Sequence, residues 1–199
     1  MHRTLPRLVA IALAAVASVA LGCDGGDDTT VTAPTAAFTP DTAAPGPTSI
    51  ALLPGTAGGA SVTIRVTATG IPSFFGAAFR VVYDNTALQF NSMSDSTSFL
   101  RAGGVADANL FFMADSTSTS GEVVITATRI DPDVAPPVAV TTTSDLVVLT
   151  FTARLAIAAG ADEGRIDFAA PMQVCDGTTT PTGCNPVTVT WSGGGLSAQ

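Results

Sequence analysis

Lysine is absent from the 199 residues, and the single histidine is His2. A chain with its only imidazole at position 2 has no Ser-His-Asp or Cys-His pair in its body and no histidine-ligated metal site. Lysine bases and Schiff-base nucleophiles are excluded with them. Carboxylate pairs are the acid–base device that remains. The close pairs, Asp131/Asp133 and Asp162/Glu163, lie in stretches flanked by Pro or Gly and read as solvated turn residues. No catalytic set, cofactor or metal site is expected, and the chain is expected not to be an enzyme. Charge is scarce on one side too: 8 basic residues, all arginine, face 16 acidic ones for a net charge of −8. Such a surface repels phosphate backbones, so no nucleic-acid partner is expected. Aromatics are few beyond phenylalanine, with one Trp, one Tyr and ten Phe.

There are three cysteines, and the first carries the N-terminal reading. His2, Arg3 and Arg7 precede an apolar run from Leu8 to Leu21, which ends at Gly22-Cys23. A basic start, a short apolar core and a small residue before the cut read as a secretory signal over residues 1–22. The run is short for a membrane span, which needs about 20 apolar residues. A cysteine directly after the cut resembles the bacterial lipoprotein signal, in which that cysteine is lipidated. Ala20 stands where that signal usually has Leu, with Leu21 one step late. The expectation is an exported protein, held to the bacterial cell envelope by lipid on Cys23 and touching membrane through it. Cys175 and Cys184 then form an even pair in an oxidising compartment. The eight residues between them are rich in Asp, Gly, Thr and Pro, so a disulfide across that turn is expected.

Residues 23–47 read as a Pro/Thr/Ala-rich tether with little to bury. From residue 48 the pattern has period two. Val62, Ile64, Val66 and Ala68 alternate with Ser61, Thr63, Arg65 and Thr67, as in a half-buried strand. Phe75, Ala77, Phe79, Val81 and Tyr83 form the next apolar face, and Gly76, Ala78, Arg80 and Val82 point the other way. Leu88 and Phe90 follow the turn Asp84-Asn85-Thr86. Leu110 to Met113, Val123 to Ala127, Leu146 to Ile157, Ile166 to Phe168 and Val187 to Trp191 complete about nine short strands. Gly, Pro and Asp turns separate them, and no helical period is evident. An all-β sandwich over 48–193, with a flexible tail at 194–199, is the fold expected. Phe74, beside Pro72, and one of Phe111/Phe112 are candidates for exposure.

The stretch from Gly76 to Phe90, Gly-Ala-Ala-Phe-Arg-Val-Val-Tyr-Asp-Asn-Thr-Ala-Leu-Gln-Phe, resembles the cohesin family. The family carries Gly-x-x-Phe-x-x-x-Tyr-Asp-x-x-x-Leu, matched here by Gly76, Phe79, Tyr83, Asp84 and Leu88. Leu146 to Ala153 is similar to a later strand of the family, and Ile166 to Val189 to its last hairpin. The resemblance implies a nine-stranded jelly-roll β-sandwich, related in fold to carbohydrate-binding modules. It also implies docking of dockerin modules through one sheet face. Bottom-up, the motif residues are structural: Tyr83 ends an inward face, Asp84 starts a turn, and Leu88 returns to the core.

The functional reading is a non-catalytic envelope module that docks a dockerin-like or other exported protein, linked to polysaccharide breakdown. Its candidate face is Gly76, Ala78, Arg80 and Val82, with Arg80 as anchor. Cellulosomal cohesins often place Asn and Asp where Gly76 and Ala78 stand. Direct binding of a polysaccharide, and a structural envelope lipoprotein without specific ligand, stay open as alternatives.

Overall fold

The computed structural model describes residues 34–117, 121–180 and 183–199. The leader, Cys23 and most of the expected tether lie outside them. The described chain is built from strands and turns. In chain order they are β1 (Ala36–Pro40), β2 (Ser49–Gly58), β3 (Ser61–Thr69), β4 (Ile71–Phe74), β5 (Gly76–Tyr83), β6 (Leu88–Ser94) and β7 (Leu110–Thr117). Then follow β8 (Glu122–Arg129), β9 (Val138–Val140), β10 (Ser144–Ala153), β11 (Arg165–Thr180), β12 (Gly183–Pro186), β13 (Thr190–Ser192) and β14 (Gly194–Ala198). Three single-turn 3-10 helices lie between strands, at Phe99–Arg101, Asp107–Asn109 and Asp162–Gly164.

Two sheets face each other. A seven-stranded sheet runs β1-β14-β11-β5-β8-β7, with β12 paired to β11, and a five-stranded sheet runs β13-β2-β3-β10-β6. The period-two pattern decides which side of each strand goes inward. Val62, Ile64 and Val66 of β3 meet Leu149 and Phe151 of β10 and Phe79, Val81 and Ile125 of the other sheet in one buried cluster. Aromatic rings lock the layers together edge-to-face: Tyr83 lies 5.2 Å from Phe151, and Phe168 4.9 Å from Trp191. Such pairs add about 0.5–1.5 kcal/mol beyond their buried area.

The family motif falls where its chemistry requires. Asp84 accepts hydrogen bonds from the Thr86 backbone N–H (2.8 Å) and hydroxyl (2.6 Å), and its own carbonyl receives the Leu88 N–H at 2.8 Å. The chain thereby reverses from β5 into β6 and delivers Leu88 to the core. Gly121, at φ +62°, leads into β8, and a Cβ there would collide with the Tyr83 carbonyl oxygen.

Several boundaries differ from the sequence reading. The sandwich starts at β1, inside the expected tether, because Ala36 and Phe38 alternate inward and bury against the core. The expected flexible tail is β14, which pairs with β1 and β11 and buries Leu196 and Ala198. Among the described residues there are fourteen strand segments where nine strands were expected, since bulges and short edge strands divide the same sandwich more finely. The Leu146 to Ile157 run stops as a strand at Ala153, and Leu155 turns outward.

Candidate docking face

The outer side of the seven-stranded sheet is assembled by register. Ala78 stands beside Thr126, and Thr126 beside Met113. Gly76, Thr128 and Phe111 form the row above, and Arg80, Val124 and Asp115 the row below. On the far flank β11 brings Gln173 next to Ala78 and Ala169 next to Arg80. Between Ala169 and Gln173 the register of β11 slips, and Ala170, Pro171 and Met172 stand out from the sheet. The result is a low surface of small and β-branched residues. Phe111 (44% exposed) and Met113 (40%) rise on one side and Met172 (36%) on the other.

The opposite outer face has another character. On the five-stranded sheet, Ser61 and Thr152 share a 2.7 Å hydrogen bond, and Asn91 donates to Thr152 at 2.6 Å. Thr63 and Thr56 pair at 3.0 Å, and Arg65 holds Asp145 at 3.0 Å. Those side chains satisfy one another. The β11-β5-β8-β7 face instead leaves Phe111, Met113 and Met172 exposed.

Arg80 is engaged within the chain: its Nη1 lies 3.2 Å from Glu122 Oε1 on β8. Of the four residues expected to form the binding face, Ala78 is exposed, while Arg80 and Val82 are half-buried. Gly76 is buried under Thr128, which leaves it out of the open surface; a Cβ there would collide with the Thr128 side chain and come 3.0 Å from its Cα. The expectation that Phe74 is exposed is corrected as well. Its ring is fully buried and packs edge-to-face on Phe99 at 4.9 Å. Phe111 is the exposed member of the Phe111/Phe112 pair; Phe112 turns inward, with the Arg101 guanidinium 5.5 Å above its ring. Trp191 packs between Phe79 and Phe168. Alternation alone could have singled out Phe111 and Met113 together, once the strand register against β8 was known.

At the top of this face the β11–β12 hairpin carries the expected disulfide. Cys175 and Cys184 are bonded, with Cα atoms 5.5 Å apart. Asp176 orders the turn below it by accepting from the Thr178 N–H and the Asn185 amide, and those bonds hold its carboxyl below the usual carboxylate range. Among the described residues, no group of three or more His, Cys, Asp or Glu side chains is placed to hold a metal, and no helix is long and apolar enough to cross a membrane.

The described chain is a two-sheet β-sandwich with Phe111, Met113 and Met172 exposed on one outer face. The cohesin domain family model matches residues 48–190, and the chain belongs to the cohesin family. Among solved structures it is similar to the sixth cohesin of scaffoldin B from Acetivibrio cellulolyticus, solved with a Cel5 dockerin. The identity is 19% over 78% of this chain and 93% of that one, with a TM-score of 0.49. It is also similar to the cohesin CaCohA2 from Clostridium acetobutylicum (16%, 81% and 88%, TM-score 0.48). A third is the OlpC cohesin of Clostridium thermocellum, solved with the Doc435 dockerin (15%, 69% and 83%, TM-score 0.49). No protein with a curated description matches the chain.

Proposed function

We propose that this chain is a non-catalytic docking module that captures a dockerin-like exported protein on the outer face of β11, β5, β8 and β7. The observation that carries the reading is the pair Phe111 and Met113, exposed side by side on an otherwise low, small-residue surface in a cohesin-family chain. Large apolar anchors set in a flat surround are the pattern of interface hot spots. The charges that flank them are acidic in excess, with Asp115 and Glu122 against Arg80. The partner surface that complements them is apolar at its centre and basic at its rim. Replacing Phe111 and Met113 by Asp in the soluble domain tests this: capture of dockerin-bearing proteins should be lost while folding is kept.

Direct sugar binding is the weaker reading. Flat sugar rings are gripped by exposed aromatic platforms, and of the twelve aromatic residues in the chain Phe111 alone is exposed. The lone Trp191 is half-buried, with its ring packed against Phe79 and Phe168. A role in polysaccharide breakdown would therefore come through a captured enzyme.

The anchoring half of the proposal rests on sequence. Lipid on Cys23 and the residues leading to β1 would present the sandwich at the envelope surface of the cell. Cys23→Ser should release the protein from membranes and abolish incorporation of labelled palmitate.

A further inference from the structure

Arg129 is the one charged side chain among the described residues that is buried, with 3% of its surface left exposed. Its position follows from strand parity: in β8 the inward places are Val123, Ile125, Ala127 and then Arg129. No carboxylate among the described residues lies within ion-pair distance of it. Its hydrogen bonds go to main-chain carbonyls. Nε donates to Leu100 O at 3.0 Å, and Nη2 donates to Leu100 O at 2.8 Å and to Ala102 O at 2.7 Å. Nη1 donates to Pro136 O. A guanidinium has five N–H donors, and these bonds use four of them. Burial without a counter-ion lowers its pKa from the ordinary arginine value.

The guanidinium end is held by the carbonyls of Ala102 and Pro136, and both residues form the wall of a pocket of about 340 Å³. Arg129 itself lines it, with Gly103, Gly104, Val105, Ala106, Asn109 and Val134. No acidic residue contributes. Gly103 and Gly104 have φ of +84° and +72°, and no atom lies where either would carry a Cβ. The loop is thus kept open by residues without side chains. The volume falls in the range of small-molecule sites, and the lining is apolar around one cationic wall and one amide.

We propose that this pocket binds a carboxylate carried on a short apolar stem. The carboxylate would take the fifth guanidinium N–H and the uncompensated charge of Arg129, and the stem would cover Val105 and Val134. The site is independent of the docking face: it lies at the end of the sandwich, between the Phe99–Arg101 turn, the start of β7 and the 134–136 loop. Two sources supply that chemistry, a free short-chain acid or the C-terminal carboxylate of a bound chain.

The test is titration of the soluble domain followed by NMR shifts of the Gly103 and Gly104 amides. Hexanoate, hexanol and the peptide acetyl-Ala-Ala-Leu, as free acid and as amide, serve as probes. Hexanoate is expected to bind about tenfold more tightly than hexanol, the difference one charge-assisted bond supplies. Tighter binding of the peptide acid than of hexanoate identifies a chain terminus as the source; the reverse identifies a free acid. Because Arg129→Met could fail to fold, the controls sit at exposed Val134. Val134→Glu places a competing carboxylate at the pocket and should weaken hexanoate about tenfold, whereas Val134→Gln should not. Equal binding of hexanoate and hexanol, no binding of either acid, or equal effects of the two Val134 variants would overturn the proposal.

Discussion

Arg80 on β5 and Glu122 on β8 are joined by an ion pair with Nη1 3.2 Å from Oε1, set diagonally across two adjacent strands. Arg80 is thereby matched inside the chain, and on the proposed reading the face would recognise its partner chiefly through apolar groups. Both side chains are partly exposed, so the pair is worth about 1 kcal/mol or less to stability. Arg80→Ala is expected to leave the melting temperature nearly unchanged and to weaken partner capture only severalfold. A loss of capture as large as that of the Phe111 variant would make Arg80 the anchor after all.

Phe111→Ala should cost much more in binding. An exposed aromatic anchor buried on docking contributes about 2 kcal/mol or more, which is about thirtyfold or more in affinity. Because the ring is exposed in the free domain, chemical denaturation should detect little change in stability. Titration calorimetry with the captured partner measures the first effect, and urea unfolding the second.

Gly76→Ala is expected to destabilise the fold by about 1–3 kcal/mol, the usual range for forcing atoms into packed space. The new Cβ would collide with the Thr128 side chain and approach its backbone. The urea midpoint should fall with little change in slope. An unchanged midpoint would show that β5 and β8 can part there without cost.

The disulfide should stabilise the hairpin above the face. Its cysteines are 9 positions apart. Closing so short a loop is worth about 2–3 kcal/mol in the chain-entropy picture. Cys175→Ser with Cys184→Ser should lower the melting temperature, and reductant should lower that of the wild type alone.

Arg165 ties β1 to the sheet by holding Asp41 (2.7 Å) and Asp167 (2.6 Å) together. Its hydrogen bonds depress the Asp41 pKa, and its own pKa is raised in turn. A depressed carboxylate contributes stability that is fully present above its unfolded pKa of about 3.9 and lost as pH falls through the folded value. Asp41 is well exposed, so solvent holds this to about 1 kcal/mol or less. Asp41→Asn should therefore be slightly less stable than wild type at pH 6, and the gap should close below about pH 3.9. A gap that persists at pH 2 would place the effect in packing instead.

The strands with clean alternation were legible from sequence. Val62 to Ala68 and Val123 to Ala127 bury as their period demands, and Asp84 makes the turn its residue type favours. β1 was hidden because Thr-Pro composition outweighs two inward residues, Ala36 and Phe38. β14 was hidden because Gly194-Gly195 is a poor strand former, held in place by its two neighbours. Phe74 buries against its expectation, and adjacent Phe111 and Phe112 carry little local signal to say which of the two is exposed. Register decides each case, and register is a property of two strands. Arg129 continues an apolar series into the core, so its burial depends on carbonyls of the 99–102 turn and Pro136, brought to it only by the tertiary fold.

The central claim is that the β11-β5-β8-β7 face captures an exported dockerin-like protein. Its most direct measurement is a comparative capture experiment with the immobilised domain, reading bound proteins by mass spectrometry. Wild type is set beside Phe111→Asp/Met113→Asp on this face and Ser61→Asp/Thr63→Asp on the opposite one. The account predicts dockerin-bearing proteins on wild type and on the Ser61/Thr63 variant, and their absence from the Phe111/Met113 variant. Retention by the Phe111/Met113 variant, or loss confined to the Ser61/Thr63 variant, would contradict it.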